Sequence, residues 1–257
     1  MQSAEFQRIA DNIFKLPARA DARAHVLCFP AAGGWFSAFG SWIDLLGDDI
    51  ELWAVTLPGH GIRLHEPPVP DMRALARSVA ADLLGFEHLP YAVFGHSMGG
   101  LLAYETIREL LRRNYPSPQG FGVSAVRAPH CWSEPGDWRE EEAVLTRVRR
   151  VAAVPERVLG SQRLRSTLLP AFQADFVATD NYQASPAPPL PVPLFAWAGK
   201  ADPVTRPADV ELWRDCTRSR FHLTLLDAGH SFLAEQAGTI VRSLVSTLDN
   251  QVPDEES

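Results

Sequence analysis

The stretch FGHSMGG, residues 94–100, holds a serine whose neighbours fit it for chemistry. Ser97 stands between Gly95 and Gly99 in the spacing GxSxG, at the end of an apolar run. A strand before the serine and a helix after it would form a tight turn that exposes the hydroxyl at the edge of a sheet. GxSxG alone is weak evidence, but a predicted strand and helix on its two sides favour a nucleophile over an ordinary turn serine.

A serine hydroxyl becomes a good nucleophile only when a base takes its proton. Three histidines follow Ser97 in the chain: His130, His222 and His230. His222 alternates within a predicted strand and His130 opens a long segment between two strands, whereas His230 comes just after the last predicted strand. We therefore predict that His230 is the base.

The base in turn needs a carboxylate that holds its tautomer and stabilises its cation. Asp202, in WAGKADPVT, directly follows an apolar strand and so lies at the carboxyl edge of the predicted sheet, where ligands bind. Asp227, three residues before His230, is the rival and could instead cap a loop. Both aspartates fit the order Ser, acid, His, and the place of Asp202 at the carboxyl edge of the sheet favours it.

An oxyanion formed at Ser97 needs backbone N–H donors aimed at it. We predict one donor in the amide of Met98 and the other in the amide of Ala31, in the loop FPAAGG after the first strand. A plain glycine turn is the alternative for this loop. His96 and His60 are interpreted as structural, with His60 shaping the loop LPGHG.

Six short apolar runs predict a mostly parallel α/β sheet, because strands covered on both faces read as continuous apolar segments. Helical patterns separate most of these runs, as at residues 71–84 and after Ser97, so a doubly wound sheet is expected. The predicted strands are residues 25–29, 51–57, 91–95, 120–126, 193–199 and 221–226.

One long segment interrupts this alternation. We expect a single domain over residues 1–257, with a helical lid inserted at about 134–184, because this segment is too long for a simple crossover. The acidic end, 250–257, is expected to be disordered.

The composition of the chain indicates which kinds of binding partner and site are not expected. A formal net charge of −7 argues against nucleic acid, which requires a basic field. Three widely spaced cysteines suggest neither a disulfide framework nor a metal site, and no metal-ligand spacing is present. No run of about 18 apolar residues and no signal-peptide pattern occurs, so we expect a cytoplasmic protein with no membrane association.

Taken together, these residues resemble the α/β-hydrolase family, and within it the type II thioesterases of polyketide and nonribosomal peptide synthases. The more specific motifs are CFPAAGG, LPGHGIR, RAPH at 127–130, VPERVL at 154–159 and LPAFQADFVATDNY at 169–182. The resemblance implies an α/β-hydrolase fold, and it implies hydrolysis of aberrant or stalled acyl groups from the phosphopantetheine of an acyl or peptidyl carrier protein. It also implies that no cofactor is needed.

A carrier partner would require a local basic patch, because carrier proteins are usually acidic and this chain is acidic as well. Five arginines of the predicted lid could form it, although they could equally be the solvated face of the lid helices: Arg147, Arg149, Arg150, Arg163 and Arg165. We expect the chain to act as a monomer.

Two other functions stay open. One is a broad carboxylester hydrolase acting on small free esters, and the other is a non-catalytic protein that binds carriers. The intact serine, aspartate and histidine argue against the second. The residues do not separate hydrolysis from acyl transfer or cyclisation, since the first half-reaction is the same.

Overall fold

A computed structural model of the chain describes residues 6–16, 22–86, 89–131, 136–152 and 154–249. Within these ranges eight strands form one sheet: β1 (Gln7–Arg8), β2 (Ile13–Leu16), β3 (Ala24–Phe29), β4 (Ile50–Val55), β5 (Tyr91–His96), β6 (Gly120–Ser124), β7 (Leu194–Gly199) and β8 (Phe221–Leu226). The strand order is β1-β2-β4-β3-β5-β6-β7-β8. From β3 to β8 every neighbouring pair is parallel, which confirms the predicted fold class.

The six apolar runs of the sequence are the six parallel strands, with ends that differ by one or two residues. Strands β3 to β6 are buried along their whole length, as expected for strands covered on both faces. Strand β6 ends at Ser124, two residues earlier than predicted, because Ala125 turns into a left-handed backbone conformation with φ of 52°.

The two N-terminal strands are not anticipated by the sequence. β2 pairs antiparallel with β4, placing Ile13 opposite Val55, and β1 pairs antiparallel with β2. Ile13 and Phe14 are buried, whereas Lys15 forms an ion pair with Glu51 of β4. A run as short as IFKL has no resolvable period, so its pairing depends on contacts distant in the chain.

Helices cover both faces of the sheet: α1 (Met72–Leu83), α2 (Met98–Arg112), α3 (Glu141–Val151), α4 (Glu156–Leu159), α5 (Gln162–Asp180), α6 (Pro207–Glu211) and α7 (Ala237–Asp249). One core holds α1 and α2, and the second holds α7 and the segment Phe36–Leu45. That segment is a 3-10 helix. Helix α1 begins where Asp71 accepts a hydrogen bond from the N–H of Ala74 at 2.9 Å, as an N-cap.

Helices α3, α4 and α5 lie between β6 and β7, within the range 134–184 predicted as an inserted lid. Residues 132–135, 153 and 250–257 lie outside the described residues, so the start of the insertion and the tail are not covered. Helix α5 packs against α3 and α2, which brings it over the carboxyl edge of the sheet. The division into one domain with a lid stays a prediction.

Among the residues described, no helix has the length and apolar composition that crossing a bilayer would require.

Candidate active site

Ser97 lies in a strained turn between β5 and α2. Its backbone has φ of 53° and ψ of −128°, and its N–H donates to the carbonyl of Ser124 at 2.8 Å. A Cβ at Gly95 would lie 2.3 Å from the carbonyl oxygen of Gly99, and one at Gly99 would lie 2.2 Å from that of Phe29. Both glycines are therefore needed for this close packing, which holds the serine in a conformation that L-residues rarely adopt.

The structure brings Ser97, His230 and Asp202 together from three distant stretches of chain. The Nε2 atom of His230 lies 3.0 Å from Oγ of Ser97, and its Nδ1 atom lies 2.8 Å from Oδ2 of Asp202. The Oδ1 atom of Asp202 accepts hydrogen bonds from the N–H groups of Val204 and Thr205 at 2.8 and 3.0 Å. The side chains of His230 and Asp202 are almost fully buried.

These contacts determine which nitrogen of His230 carries a proton. Burial opposes ionisation of Asp202, but hydrogen bonding from His230 and the two backbone amides outweighs it and holds the pKa of Asp202 below its ordinary value. An ionised carboxylate only accepts hydrogen bonds, so Nδ1 of His230 must donate to it. In the neutral imidazole Nε2 is then an acceptor, and it faces the hydroxyl of Ser97, which donates.

The rival residues lie elsewhere. Asp227 is exposed and its Oδ1 accepts from Nζ of Lys200 at 2.7 Å, on the surface. His222 is exposed on β8, and His130 is exposed with its Nε2 3.8 Å from Asp215. None of the three contacts Ser97 or His230.

His96 is a buried neighbour of this cluster. Its Nδ1 lies 2.7 Å from Oγ of Ser124, and its ring packs edge-on against Phe232, 5.7 Å from the ring of His230. Burial, together with the nearby imidazole of His230, lowers the pKa of His96 to about 3. His96 is therefore uncharged at neutral pH, and it supports the cluster by packing.

The two predicted oxyanion donors lie on adjoining backbone segments. Met98 is the first residue of α2, so its N–H has no acceptor inside the helix. The turn packs directly on the loop after β3, since a Cβ at Gly99 would also lie 2.5 Å from the carbonyl oxygen of Pro30. Ala31 follows in that loop and its carbonyl accepts from the N–H of Gly34 at 2.9 Å.

A buried aspartate of α5 holds this loop, which the sequence did not predict. The Oδ2 atom of Asp175 accepts hydrogen bonds from the N–H of Gly33 at 2.7 Å and from Nε2 of His60 at 2.9 Å. The Nδ1 atom of His60 lies 3.0 Å from the carbonyl oxygen of Pro58, which can only accept. Both ring nitrogens therefore donate, and His60 with Asp175 forms a buried ion pair. The motif ADFVATDNY contained Asp175, but only the docking of α5 gives it a role.

Removing the charge of Asp175 should displace the loop that carries Ala31. We expect Asp175→Asn to lower kcat for a small thioester by about 10- to 100-fold, since loss of one whole oxyanion donor costs about 100- to 1,000-fold. Steady-state kinetics measure the effect. Asp137→Asn, an exposed aspartate paired with Arg139, is the matched control and should leave kcat unchanged. Equal kinetics for Asp175→Asn and wild type would contradict this role.

The same pair should make stability depend on pH. Burial alone would lower the pKa of His60, but the charge and hydrogen bond of Asp175 outweigh it and raise the pKa above 6.5. Because the folded state holds this proton more tightly, the stabilisation is complete below about pH 6.5 and is lost as pH rises through the raised pKa. Thermal unfolding from pH 6 to 9 should show wild type losing its advantage over Asp175→Asn. A constant difference would contradict the ion pair.

A cavity of about 350 Å³ adjoins Ser97 and His230. It is bounded by the insertion and by the loops after β6 and β7, and five charged side chains line it: Arg127, Arg147, Asp180, Arg206 and Asp209. Within the described part of the chain, no group of three or more histidine, cysteine or acidic side chains is arranged to hold a metal ion.

The five lid arginines do not form one free basic patch. Arg149 pairs with Glu142 and Glu156, and Arg165 lies 3.5 Å from Glu141. Arg150 donates to the carbonyl of Pro203 at 2.7 Å, and Arg147 lines the cavity. Arg163 is exposed. Glutamates thus offset the charge of two of the five arginines, Arg149 and Arg165.

Comparison with known proteins agrees with this geometry. Residues 24–251 match the thioesterase domain family. The gramicidin S biosynthesis protein GrsT of Aneurinibacillus migulanus is 29% identical over 88% of this chain and 90% of its own length. The thioesterase PikA5 of Streptomyces venezuelae is 33% identical over 84% of this chain and 78% of its own.

A solved structure is similar as well. RedJ, the thioesterase from the prodiginine biosynthetic pathway of Streptomyces coelicolor, superimposes with a TM-score of 0.81 at 36% identity, covering 90% of this chain and 88% of that one. The strand order of the sheet and the strained turn at Ser97 are consistent with these similarities. The chain belongs to the thioesterase family and is a thioester hydrolase with the α/β-hydrolase fold, similar at 31% identity to a type II thioesterase from the yersiniabactin nonribosomal peptide and polyketide pathway.

Proposed function

We propose that this thioesterase hydrolyses acyl groups, including aberrant or stalled ones, from the phosphopantetheine thiol of carrier proteins, through an acyl intermediate on Ser97. The observation that carries the proposal is the hydrogen-bonded relay from Ser97 through His230 to Asp202, in the tautomer that general-base catalysis requires. The names of GrsT and RedJ place those two relatives in biosynthetic pathways and support a carrier-bound substrate.

The first half-reaction transfers the acyl group. Oγ of Ser97 attacks the thioester carbonyl carbon while Nε2 of His230 takes the hydroxyl proton, and Asp202 stabilises the resulting imidazolium. The N–H groups of Met98 and Ala31 bind the negative oxygen of the tetrahedral intermediate. The carbon–sulfur bond then breaks, and the thiolate receives the proton from His230. A thiol with a pKa near 8.5 leaves readily, so this protonation is less demanding than for an alkoxide.

The second half-reaction uses water in place of the serine. Nε2 of His230 takes a proton from the water as its oxygen attacks the acyl carbon. The same two N–H groups bind the second oxyanion. When it collapses, His230 returns the proton to Oγ of Ser97 and the free acid leaves. No dissociable cofactor is required by these steps.

A preference for thioesters on carriers separates this proposal from a broad carboxylester hydrolase. We expect kcat/KM for an acyl carrier protein to exceed that for the matching N-acetylcysteamine thioester by about 10-fold or more, because the carrier adds contacts that an isolated thioester lacks. The oxygen ester of the same acid should react more slowly than either. Fastest turnover of the free oxygen ester would favour the carboxylester hydrolase.

We infer that the carrier protein approaches the face on which the cavity opens, since its phosphopantetheine must reach Ser97. The exposed lid residues Arg150 and Arg163 support docking of an acidic carrier there, although ion pairing of Arg149 and Arg165 leaves less free charge than the sequence suggested. A cytoplasmic location and a monomeric state complete the proposal. Sedimentation analysis that gave a stable dimer would overturn the monomer.

A further inference from the structure

The described residues that line the cavity beside Ser97 carry more positive charge than their acidic side chains offset. Arg206 and Asp209 lie 2.7 Å apart and neutralise each other. The remaining charged side chains are those of Arg127, Arg147 and Asp180. Among the described lining residues, two guanidinium groups thus face one carboxylate, an excess of one positive charge.

Asp180 does not pair directly with either arginine. Its Oδ2 atom accepts from the N–H of Gly136 at 3.2 Å and from Nε1 of Trp138 at 3.0 Å. Among the described residues, no carboxylate lies within the 4 Å of an ion pair to Arg127 or Arg147. Neutral N–H groups therefore hold the carboxylate of Asp180, and neither arginine forms an ion pair with it.

The two arginines differ in how they are held. Nε and Nη2 of Arg127 donate to the carbonyls of Cys131 and Thr179 at 3.1 and 3.2 Å, which fixes this guanidinium in the cavity wall. Arg147 lies on α3 with its guanidinium 5.9 Å above the ring of Phe176. Its Nε is buried and has no acceptor among the described residues.

Both guanidinium groups are partly buried, and partial burial of a cation without a carboxylate partner among the described residues is unfavourable. Burial lowers the pKa of both Arg127 and Arg147, although each guanidinium stays charged at neutral pH. Packing elsewhere in the protein must offset this free-energy cost of burial. An anionic ligand would lower the cost, because it would form charge-assisted hydrogen bonds with the guanidinium groups. Ser97 and His230 line the same cavity, so a ligand there is continuous with the scissile thioester.

We infer that Arg147, supported by Arg127, is an anion-recognition site that binds a carboxylate or phosphate group of the substrate molecule. This inference rests on the proposed thioesterase function and adds a substrate class to it. The anionic group could be the terminal carboxylate of a dicarboxylic acyl chain or the phosphate of the phosphopantetheine. Arginine suits either group because its planar fork donates two parallel hydrogen bonds.

Four thioester substrates distinguish an acyl carboxylate from the phosphate of phosphopantetheine. The acyl group is hexanoyl or adipyl, and adipyl has an additional terminal carboxylate. The thiol is N-acetylcysteamine or phosphopantetheine, and phosphopantetheine has an additional phosphate. For each enzyme the readouts are two selectivity ratios of kcat/KM, adipyl over hexanoyl and phosphopantetheine over N-acetylcysteamine. Buffer blanks correct for spontaneous hydrolysis. Selectivity ratios are insensitive to a general loss of folded enzyme.

We expect Arg147→Gln to lower one ratio by about 10-fold or more, the usual effect of losing a charge-assisted hydrogen bond. A fall in the adipyl ratio on both thiols identifies an acyl carboxylate, and a fall in the phosphopantetheine ratio for both acyl groups identifies the phosphate. Arg147→Lys should retain part of the ratio. Arg242→Gln removes an exposed arginine of α7, outside the cavity lining, and should change neither ratio.

Unchanged ratios in Arg147→Gln would overturn the inference, as would the same change in Arg242→Gln. Failure of the proposed function gives a different result: wild type would then hydrolyse none of the four thioesters. A wild-type enzyme that turns them over, with ratios independent of Arg147, leaves the thioesterase function intact and removes only the anion site.

Discussion

Ser97→Ala is expected to lower kcat on any acyl thioester by on the order of a million-fold, because removing the nucleophile of such a relay removes its whole cooperative effect. His230 and Asp202 would remain in place but would have no hydroxyl to activate. The residual rate would come from the oxyanion donors and substrate binding. Stopped assays of thiol release, with a free-thiol reagent, measure the loss.

Ser231→Ala is the matched control for that variant. Ser231 adjoins His230, but its hydroxyl donates to the carbonyl of Val151 at 2.9 Å and does not contact Ser97. We expect a far smaller loss. Substantial turnover by Ser97→Ala would show that another group attacks the thioester, and a full biological effect without turnover would favour a non-catalytic carrier-binding protein.

Asp202→Asn is expected to lower kcat by about 10,000-fold while leaving the fold intact. The N–H groups of Val204 and Thr205 point at Oδ1, so the amide oxygen of the asparagine should stay there. Its NH₂ group then faces Nδ1 of His230 and forces that nitrogen to accept. Nε2 would carry the proton and could no longer take one from Ser97.

Asp227→Asn provides the comparison, because Asp227 was the rival acid in the sequence. It forms only an exposed ion pair with Lys200, which contributes little to stability. We expect kcat within about 2-fold of wild type and an unchanged unfolding temperature. A larger loss for Asp227→Asn than for Asp202→Asn would reverse the assignment of the acid.

The sequence predicted those parts of the fold and of the candidate site that depend on short local patterns. GxSxG between a buried strand and a helix, and polar residues just after parallel strands, are sufficient to bring Ser97, Asp202 and His230 to one edge, because parallel strands all end there. The choice of Asp202 over Asp227 rested on the place of Asp202 just after the strand β7, at the edge where ligands bind. The catalytic roles themselves stay predictions until the variants are measured.

Features that depend on how the insertion docks could not be read from the sequence. Asp175 and His60 are 115 residues apart, and their contact follows from the position of α5 over the loop after β3. The partial neutralisation of the lid arginines likewise depends on which glutamates lie across the helices. The strand β2 was missed because four residues carry too little periodicity to reveal an antiparallel partner.

The central claim is that Ser97 removes the acyl group from a carrier protein through a covalent intermediate. Intact-mass spectrometry of acylated carrier proteins, incubated with wild type or Ser97→Ala, tests it most directly. We predict that wild type alone returns the carrier to the mass of its free phosphopantetheine form, with a transient gain of one acyl mass on the enzyme. A carrier that keeps its acyl group with wild type, or loses it equally with Ser97→Ala, would contradict the claim.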